Sequence, residues 1–245
     1  MTNIFKLYRY ERNKYLHYSI NTSASIYNYC IGLYKRYYRM FGKHLNQYRL
    51  TKHIAKLKKR IRYWQQLGSQ AAVQDIIQRI EKAYKLFFKQ HKQGTLPPSF
   101  KKCRKYKSFT LKQTGYKFLG GNKLRIGKRV NKFVLSREIG GKVKTLTVKR
   151  NNLGELFILV VTHHQNETIP KMTGKIAGWD FGLKTFLTGS DGTNIESPLF
   201  FKQLRNKFKD AYGSLSRKNE GSNNWYKEKD HLNRVYEKIT NKRHD

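Results

Sequence analysis

Acidic residues are scarce in this chain. Asp and Glu number 15 among 245 residues, against 52 Lys and Arg, which gives a formal net charge of +37 at pH 7. A compact chain with that charge repels itself unless a polyanion neutralises it, so nucleic acid is the expected partner. The excess is uneven, because residues 1–137 hold 33 basic and only three acidic side chains. We therefore expect the polyanion-binding surface mainly in the first half.

Long apolar runs and paired cysteines are also missing. The longest apolar run, Leu156 to Val161, is far shorter than the roughly 20 residues of a membrane-spanning helix. The opening sequence MTNIFKLYRY has no apolar signal-peptide core, so no membrane partner is expected and a cytoplasmic location is predicted. Cys30 and Cys103 lie far apart without a CxxC spacing, so we expect neither a disulfide framework nor a zinc site.

The segment from about residue 20 to 90 has helical periodicity. Apolar residues recur at spacings of three and four over about 21–41, 50–67 and 69–90, which predicts a small helical bundle. Gly68 followed by Ser69 is typical of a helix end followed by an N-cap. The glycine and two prolines of KQGTLPPSF, residues 92–100, then close the bundle.

From about residue 108 the period changes to two. Short β-rich runs are separated by the turn sequences GGN, IGGK and NNLGE, which predict hairpins. Several short antiparallel strands favour a small barrel or curled sheet. The apolar run LFILVV is expected to be buried on both faces. Further on, KIAGWDFGLKTFLT is interpreted as one strand, followed by an SDGT turn, a return strand and a charged helical region over about 200–245 that KNEGSNNW interrupts.

Asp180 lies alone between two glycines in GWDFG. It is interpreted as a metal ligand on an RNase H-like strand, as a phosphate-loop residue of an actin-like ATPase, or simply as the end of a strand. Two-metal phosphodiester cleavage needs several carboxylates around ions roughly 4 Å apart. A continuous strand would place Asp191 roughly 30 Å away, and Glu196, opposite Thr185, on the order of 15 Å away. Any metal site at Asp180 is therefore expected to be incomplete.

Several separated stretches, in order, resemble the TnpB family, the OrfB-type proteins of insertion sequences, which are related to type V CRISPR effectors. The stretches are YNYCIGLYKRYYRMFGKHLNQYRLTKHIAKLKK, GSQAAVQDIIQRIEKAYKLFFK, PPSFKKCRKYKSFTLKQ, GNKLRIG, SREIGGKVKTLTVKR, GWDFGLKTFLTGSDGTNIESPLFF and LSRKNEGSNNWYKEKDHLNRVYEKITNKRHD. Together they cover essentially the whole chain. The stretch before Asn21 departs from the usual opening of the family.

The resemblance implies an α+β chain in four regions. Residues 1–20 supply the first strand or strands that join the central β domain, and 21–95 form a helical recognition domain with the family's helix-turn-helix region. Residues 96–170 form a wedge-like antiparallel β domain resembling a barrel, and 171–245 form the first, incomplete part of an RNase H-like RuvC nuclease domain.

The resemblance also implies a function and a cofactor. The family is expected to cleave DNA under the direction of a guide RNA, with Mg²⁺ in the RuvC domain, and Asp180 corresponds to its first catalytic, metal-binding carboxylate. The family's later catalytic carboxylates and zinc ribbon fall after residue 245. We therefore expect a nucleoid-associated protein of a prokaryote that binds guide RNA and target DNA but does not cut alone.

Three other interpretations stay open. The chain could be a piece of an active RNA-guided endonuclease, or a naturally shortened, nuclease-dead protein that acts as a repressor or in transposition. It could also be a general basic RNA-binding protein.

Candidate nucleic-acid contacts come from cations interleaved with aromatic residues, which can hold phosphates and stack on unpaired bases. Tyr27 and Asn28 match a family pair, and Gln70 and Gln74 lie one helical turn apart; these four are the candidates for reading the motif beside the target. A capping or core role is the alternative for each. The remaining candidates are Lys35, Arg36, Tyr37, Arg39, Lys101, Lys102, Arg104, Lys105 and Tyr106.

Overall fold

The computed structural model describes residues 2–6, 13–112, 114–163, 174, 176–182, 185–196 and 200–244. The chain divides into two units, Met1–Gln165 and Asn166–Asp245. The mixed helical and antiparallel architecture, with a helical N-terminal part, confirms the coarse fold class.

Three main helices form the bundle of the first unit. Helix α1 (Lys14–Phe41) begins well before the predicted residue 21, because the Asn13 side chain caps it by accepting the Leu16 N–H at 3.3 Å. It ends at Gly42, whose φ of 60° is the left-handed conformation that glycine adopts without strain.

The predicted helix over 50–67 is broken in two, α2 (Gln47–Arg60) and α3 (Arg62–Gln65). Ile61 between them has extended backbone. Trp64 in α3 is buried, and its Nε1–H donates to Ser25 Oγ at 3.3 Å. Helix α4 (Gln70–Gln90) begins as predicted, because Ser69 Oγ accepts the Ala71 N–H at 3.2 Å.

The described part of the first unit also contains seven strands, numbered in chain order. They are β1 (Thr2–Lys6), β2 (Ser108–Lys112), β3 (Tyr116–Phe118), β4 (Lys123–Ile126), β5 (Arg129–Lys132), β6 (Lys142–Arg150) and β7 (Leu156–His163). One antiparallel sheet has the order β1-β7-β6-β2 and the other has the order β3-β4-β5. In the described part of the chain both sheets are open, so these strands do not close into a barrel.

The predicted turns have different outcomes. GGN joins β3 to β4 and NNLGE joins β6 to β7, as predicted. IGGK does not form a hairpin, because β5 pairs with β4 whereas β6 pairs with β2 and β7. LFILVV is fully buried on one face, and Phe157, Leu159 and Val161 on the other face are half-buried.

One continuous hydrophobic core joins the helices to the larger sheet. It runs from Leu16 and Ile20 in α1 through Ile77 in α4 to Leu111 and Val148 in the sheet. Each side chain of this size contributes about 1.5–3 kcal/mol when fully buried. The helix–sheet junction is therefore a large part of the stability of this unit.

The second unit contains a three-stranded sheet and two helices. Strands β8 (Trp179–Asp180), β9 (Thr185–Gly189) and β10 (Asn194–Glu196) are antiparallel in the order β10-β9-β8. The prediction of one long strand is wrong, because the chain reverses between Asp180 and Thr185. The SDGT turn is confirmed, since the Gly189 N–H donates to the Thr193 carbonyl at 2.7 Å.

Helices α5 (Phe200–Ser216) and α6 (Asn223–His244) pack on each other. Leu204 and Ala211 of α5 meet Leu232, Val235 and Ile239 of α6 in a small separate core. The interruption predicted at KNEGSNNW is present, with Gly221 at φ 88°. Among the described helices, none is long and apolar enough to cross a membrane.

Candidate nucleic-acid interface

The first unit exposes cations with few carboxylates beside them. Between residues 13 and 137 the sequence contains two acidic residues, Asp75 and Glu81, which are only 6% and 8% exposed. Asp75 receives the Arg79 Nε–H at 2.8 Å and the backbone N–H of Thr110 at 3.0 Å. The Asp75 carboxylate therefore binds groups inside the protein and joins α4 to β2.

Glu81 is enclosed by aromatic rings. It accepts a hydrogen bond from the Tyr34 hydroxyl, and His44 Nε2 lies 3.2 Å from its Oε1. The rings of Tyr34 and His44 stack with centroids 4.9 Å apart, and Tyr84 packs on Tyr34 at 5.1 Å. Burial and the hydrogen bond to Glu81 raise the pKa of Tyr34, so its hydroxyl stays protonated. With both acids internal, no carboxylate is exposed over residues 13–137.

Tyr27 and Asn28 fasten the segment 99–101 to α1. The Asn28 side-chain amide donates to the Lys101 carbonyl at 2.9 Å and accepts the Lys101 N–H at 2.8 Å. The Tyr27 hydroxyl donates to the Ser99 carbonyl at 3.2 Å, and Lys101 Nζ lies 5.0 Å from the Tyr27 ring centre. Both ends of the Asn28 amide are thus engaged, and pairing with an adenine edge requires this contact to open.

The two predicted cation–aromatic clusters meet through this connection. Lys35 Nζ lies 4.9 Å from the centre of the Phe100 ring, and Phe100 is itself exposed. Tyr37 is half-buried against Phe41, with ring centroids 4.7 Å apart. The predicted cations all reach solvent: Lys35, Arg36, Arg39, Lys101, Lys102, Arg104 and Lys105.

Tyr106 lies in the core. It is 5% exposed, and its ring is 5.6 Å from that of Tyr27. Its hydroxyl is buried and has no hydrogen-bond partner among the described residues, and burial raises its pKa above the usual value. The ring of Tyr106 is therefore not accessible to a base in this structure.

Gln70 and Gln74 are exposed on α4, one turn apart. Gln78 continues the row by one more turn and accepts a hydrogen bond from Lys112 Nζ. The amides of the first two residues can reach a partner in solution, in contrast to that of Asn28.

An aromatic cleft near Lys35 was not predicted from the sequence. It has a volume of about 290 Å³ and includes Tyr38, which is 63% exposed, and Phe88, which is 54% exposed. His44 also lines it, with its ring edge-on to Phe88 at 5.9 Å. Large exposed aromatic rings beside cations suit the stacking of unpaired bases. Phe88 follows Phe87 directly and falls outside the apolar face of α4. This exposed position is the signal in the sequence that could have indicated the cleft.

Asp180 is exposed at the end of β8, paired with Thr188 of β9. This register places Asp191 on the order of 10 Å further along the sheet, at about 3.3 Å per residue, not the roughly 30 Å expected from a continuous strand. Glu196 pairs with Thr185, as predicted.

The Asp191 carboxylate is used inside its own turn. Its Oδ1 accepts the Thr193 N–H at 3.0 Å, and this hydrogen bond lowers the pKa of Asp191. Within the described ranges, no three His, Cys, Asp or Glu side chains lie close enough together to hold a metal ion. The described donors around Asp180 therefore do not form a two-metal centre.

The two cysteines differ in environment. Cys30 is fully buried in α1, and burial raises the pKa of its thiol to about 12. Cys103 is exposed in a single 3₁₀ turn before β2. A thiol reagent is therefore expected to distinguish them, because the thiolate is the reactive form.

Comparison with known proteins finds a transposase family and two proteins named as RNA-guided DNA endonucleases. Residues 159–245 match the family model OrfB_IS605, described as "Probable transposase". InsQ of Escherichia coli (strain K12), named as a candidate RNA-guided DNA endonuclease, is 29% identical over 184 residues, which are 74% of this chain and 44% of InsQ. A protein of Streptomyces pristinaespiralis named in the same way is 26% identical over 181 residues, 72% of this chain and 44% of that protein. The chain thus spans less than half the length of these curated relatives.

A solved structure gives a weaker likeness. A chain from the cryo-EM structure of a Cas12f1–sgRNA–target DNA complex aligns with 98% of this chain and 65% of its own length, at 13% identity and a TM-score of 0.40. That score is too low to establish a shared fold. The family match over residues 159–245 and the two relatives confirm the resemblance to the TnpB/OrfB proteins of insertion sequences that the sequence motifs indicated.

Proposed function

We propose that this chain binds guide RNA and target DNA as part of the RNA-guided DNA endonuclease activity for which its relatives are named. The observation that carries the proposal is the carboxylate-free exterior of residues 13–137, where both acids are buried and the predicted cations face solvent. Phosphates dominate nucleic-acid affinity, and an adjacent carboxylate would repel them. Exposed rings such as Tyr38 and Phe100 add stacking positions for unpaired bases.

Two of the regions expected from the sequence share the binding of RNA in this proposal. The helical region 21–95 and the wedge region 96–170 together hold RNA, with Gln70 and Gln74 as candidates for reading a short motif beside the target. Structured RNA is recognised through its backbone and through splayed bases, which suits a surface of mixed cations and aromatic rings. The contact between Lys35 and Phe100 supports a single binding surface across the two regions.

We assign β8–β10 to the opening of a RuvC-like domain with Asp180 as its first carboxylate. The exposed position of Asp180 on the first strand of an antiparallel meander supports this assignment, as does the family match over residues 159–245. In a full-length protein of the family, divalent metal ions such as Mg²⁺ would serve phosphodiester cleavage. Because the described residues offer Asp180 no convergent partners, Asp180 alone is not expected to support cleavage.

One experiment tests both parts of the proposal. The 245-residue chain, purified from a bacterial host, is expected to retain RNA but not to nick supercoiled plasmid in Mg²⁺. Asp180→Ala is expected to change neither result, and Asp191→Ala is a control that removes another exposed carboxylate from the same sheet. A chain that retains no RNA contradicts the binding proposal. Nicking that needs Mg²⁺ and is lost in Asp180→Ala alone contradicts the incomplete centre.

A further inference from the structure

A polar cleft of about 390 Å³ lies between the first turns of α1 and the end of β6. Its charged lining residues are Arg104, Lys107 and Arg150, accompanied by His17 and by the amides of Asn21 and Asn152. Among the described residues, no carboxylate lines it. Its residues all belong to the first unit, and only Arg104 is among the nucleic-acid contacts predicted from the sequence.

Arg150 is held in place by uncharged partners. Its Nη2 donates to Asn21 Oδ1 at 3.0 Å and to the Tyr106 carbonyl at 3.4 Å, and its Nη1 lies 3.4 Å from His17 Nδ1. The Arg150 backbone N–H donates to the Lys107 carbonyl at 2.7 Å, which brings Lys107 beside it. These contacts position the guanidinium without neutralising its charge.

The electrostatics of the cleft follow from that arrangement. Burial, and then the charge of Arg150, lower the pKa values of both His17 and Lys107. The carboxylate of Glu155 in the neighbouring turn is in contact with Asn151 Nδ2 at 3.2 Å. Partly buried cations that repel one another gain most from an anion placed among them.

We propose that this cleft binds a phosphate group of a nucleic acid. Arginine offers a fork of N–H donors and lysine a point charge, and the asparagine amides add neutral donors, a combination that suits phosphate oxygens. This inference rests on the proposed function for the identity of the polymer, whereas the anion site itself rests on the lining residues. The same chemistry accepts an internal phosphodiester or a terminal phosphate.

Cys103 provides a reporter, because it is exposed and also lines the cleft. Cys30 is buried with its pKa raised to about 12, so it stays silent toward a thiol reagent in the folded chain. The labelling rate of Cys103 in the intact chain is measured with inorganic phosphate or chloride at equal ionic strength. It is then measured with one oligoribonucleotide carrying either a 5′-phosphate or a 5′-hydroxyl. At ten times the Kd, ligand is expected to slow labelling about tenfold by mass action.

Lys107→Gln tests the site with a matched control. Loss of one charged donor is expected to weaken protection by phosphate about tenfold. Lys149→Gln makes the same charge change at the residue next to Arg150. Lys149 is exposed, and its side chain leaves the face of β6 opposite to that of Arg150. This variant is expected to change protection less than about twofold. Thermal unfolding of both variants verifies that each is folded.

The outcomes separate the two proposals. Protection by inorganic phosphate and by both RNAs supports an internal phosphodiester, and protection by the 5′-phosphorylated RNA alone supports a terminal phosphate. If RNA binds while neither RNA nor phosphate protects Cys103, the cleft proposal is overturned and the proposed function stands. Equal weakening by Lys107→Gln and Lys149→Gln also overturns it. Protection by phosphate in a chain that does not bind RNA supports the cleft and removes the proposed function.

Discussion

The affinity of this chain for single-stranded RNA is expected to fall about a thousandfold between about 50 and 200 mM monovalent salt. The seven exposed predicted cations run from Lys35 to Lys105 and have no exposed carboxylate among them. Each phosphate neutralised on a single strand adds about 0.7 to the slope of log K against log salt, so seven contacts predict a slope of about −5. Fluorescence anisotropy of a labelled RNA over a salt series measures it.

Two double variants that each remove two positive charges show which part of the chain contributes to the salt dependence. Lys102→Gln combined with Lys105→Gln is expected to reduce the steepness of the slope by about 1.4. Lys227→Gln combined with Lys238→Gln removes two exposed charges from α6 and is expected to leave the slope within error of the unchanged chain. A slope that responds to the α6 pair and not to the first pair contradicts the assigned surface.

Asp75→Ala is expected to lower the free energy of unfolding by about 2–4 kcal/mol. The change leaves the Thr110 N–H without its acceptor and removes the anion beside Arg79. Arg79 also donates to the Ser108 carbonyl at 3.1 Å and to Thr110 Oγ1 at 2.7 Å, so the carboxylate orients a side chain that itself joins α4 to β2. Urea unfolding followed by the fluorescence of buried Trp64, in a chain that also carries Trp179→Phe and Trp225→Phe, reports on this unit.

Two further variants show which contact of Asp75 causes the loss of stability. Asp75→Asn keeps an oxygen that can accept the Thr110 N–H and is expected to cost less than Asp75→Ala. Glu138→Ala removes an exposed carboxylate and is expected to change stability by less than about 0.5 kcal/mol. Equal effects of Asp75→Ala and Glu138→Ala contradict the role of Asp75 in joining helix to sheet.

Local signals in the sequence predicted much of the helical part of the fold. The Ser69 cap sits at the start of α4, and the apolar face with Ile77 and Ile80 is buried. Helix α1 begins early because its first turns have an apolar face, including Leu16 and Ile20, that the sequence interpretation assigned to a strand region. The break at Ile61 carries no glycine or proline, so no local signal in the sequence marks it.

The candidate site was less predictable, because its geometry depends on contacts between distant segments. Nothing local to Asn28 indicates that Lys101 engages its amide, and the cleft at Arg150 assembles residues from α1 and β6 with Lys107. At Asp180 the error was one of strand length. The β propensity of KIAGWDFGLKTFLT extends through a reversal, so the distance to Asp191 was overestimated.

Mapping where RNA touches the chain tests the proposed binding surface. The RNA that co-purifies with it is replaced by the same sequence containing 4-thiouridine, crosslinked by light, and the modified peptides are identified by mass spectrometry. We expect crosslinks within residues 13–137, at peptides containing the exposed rings Tyr38, Phe88 and Phe100. Crosslinks confined to α5 and α6, with none in the first unit, would contradict the proposed surface.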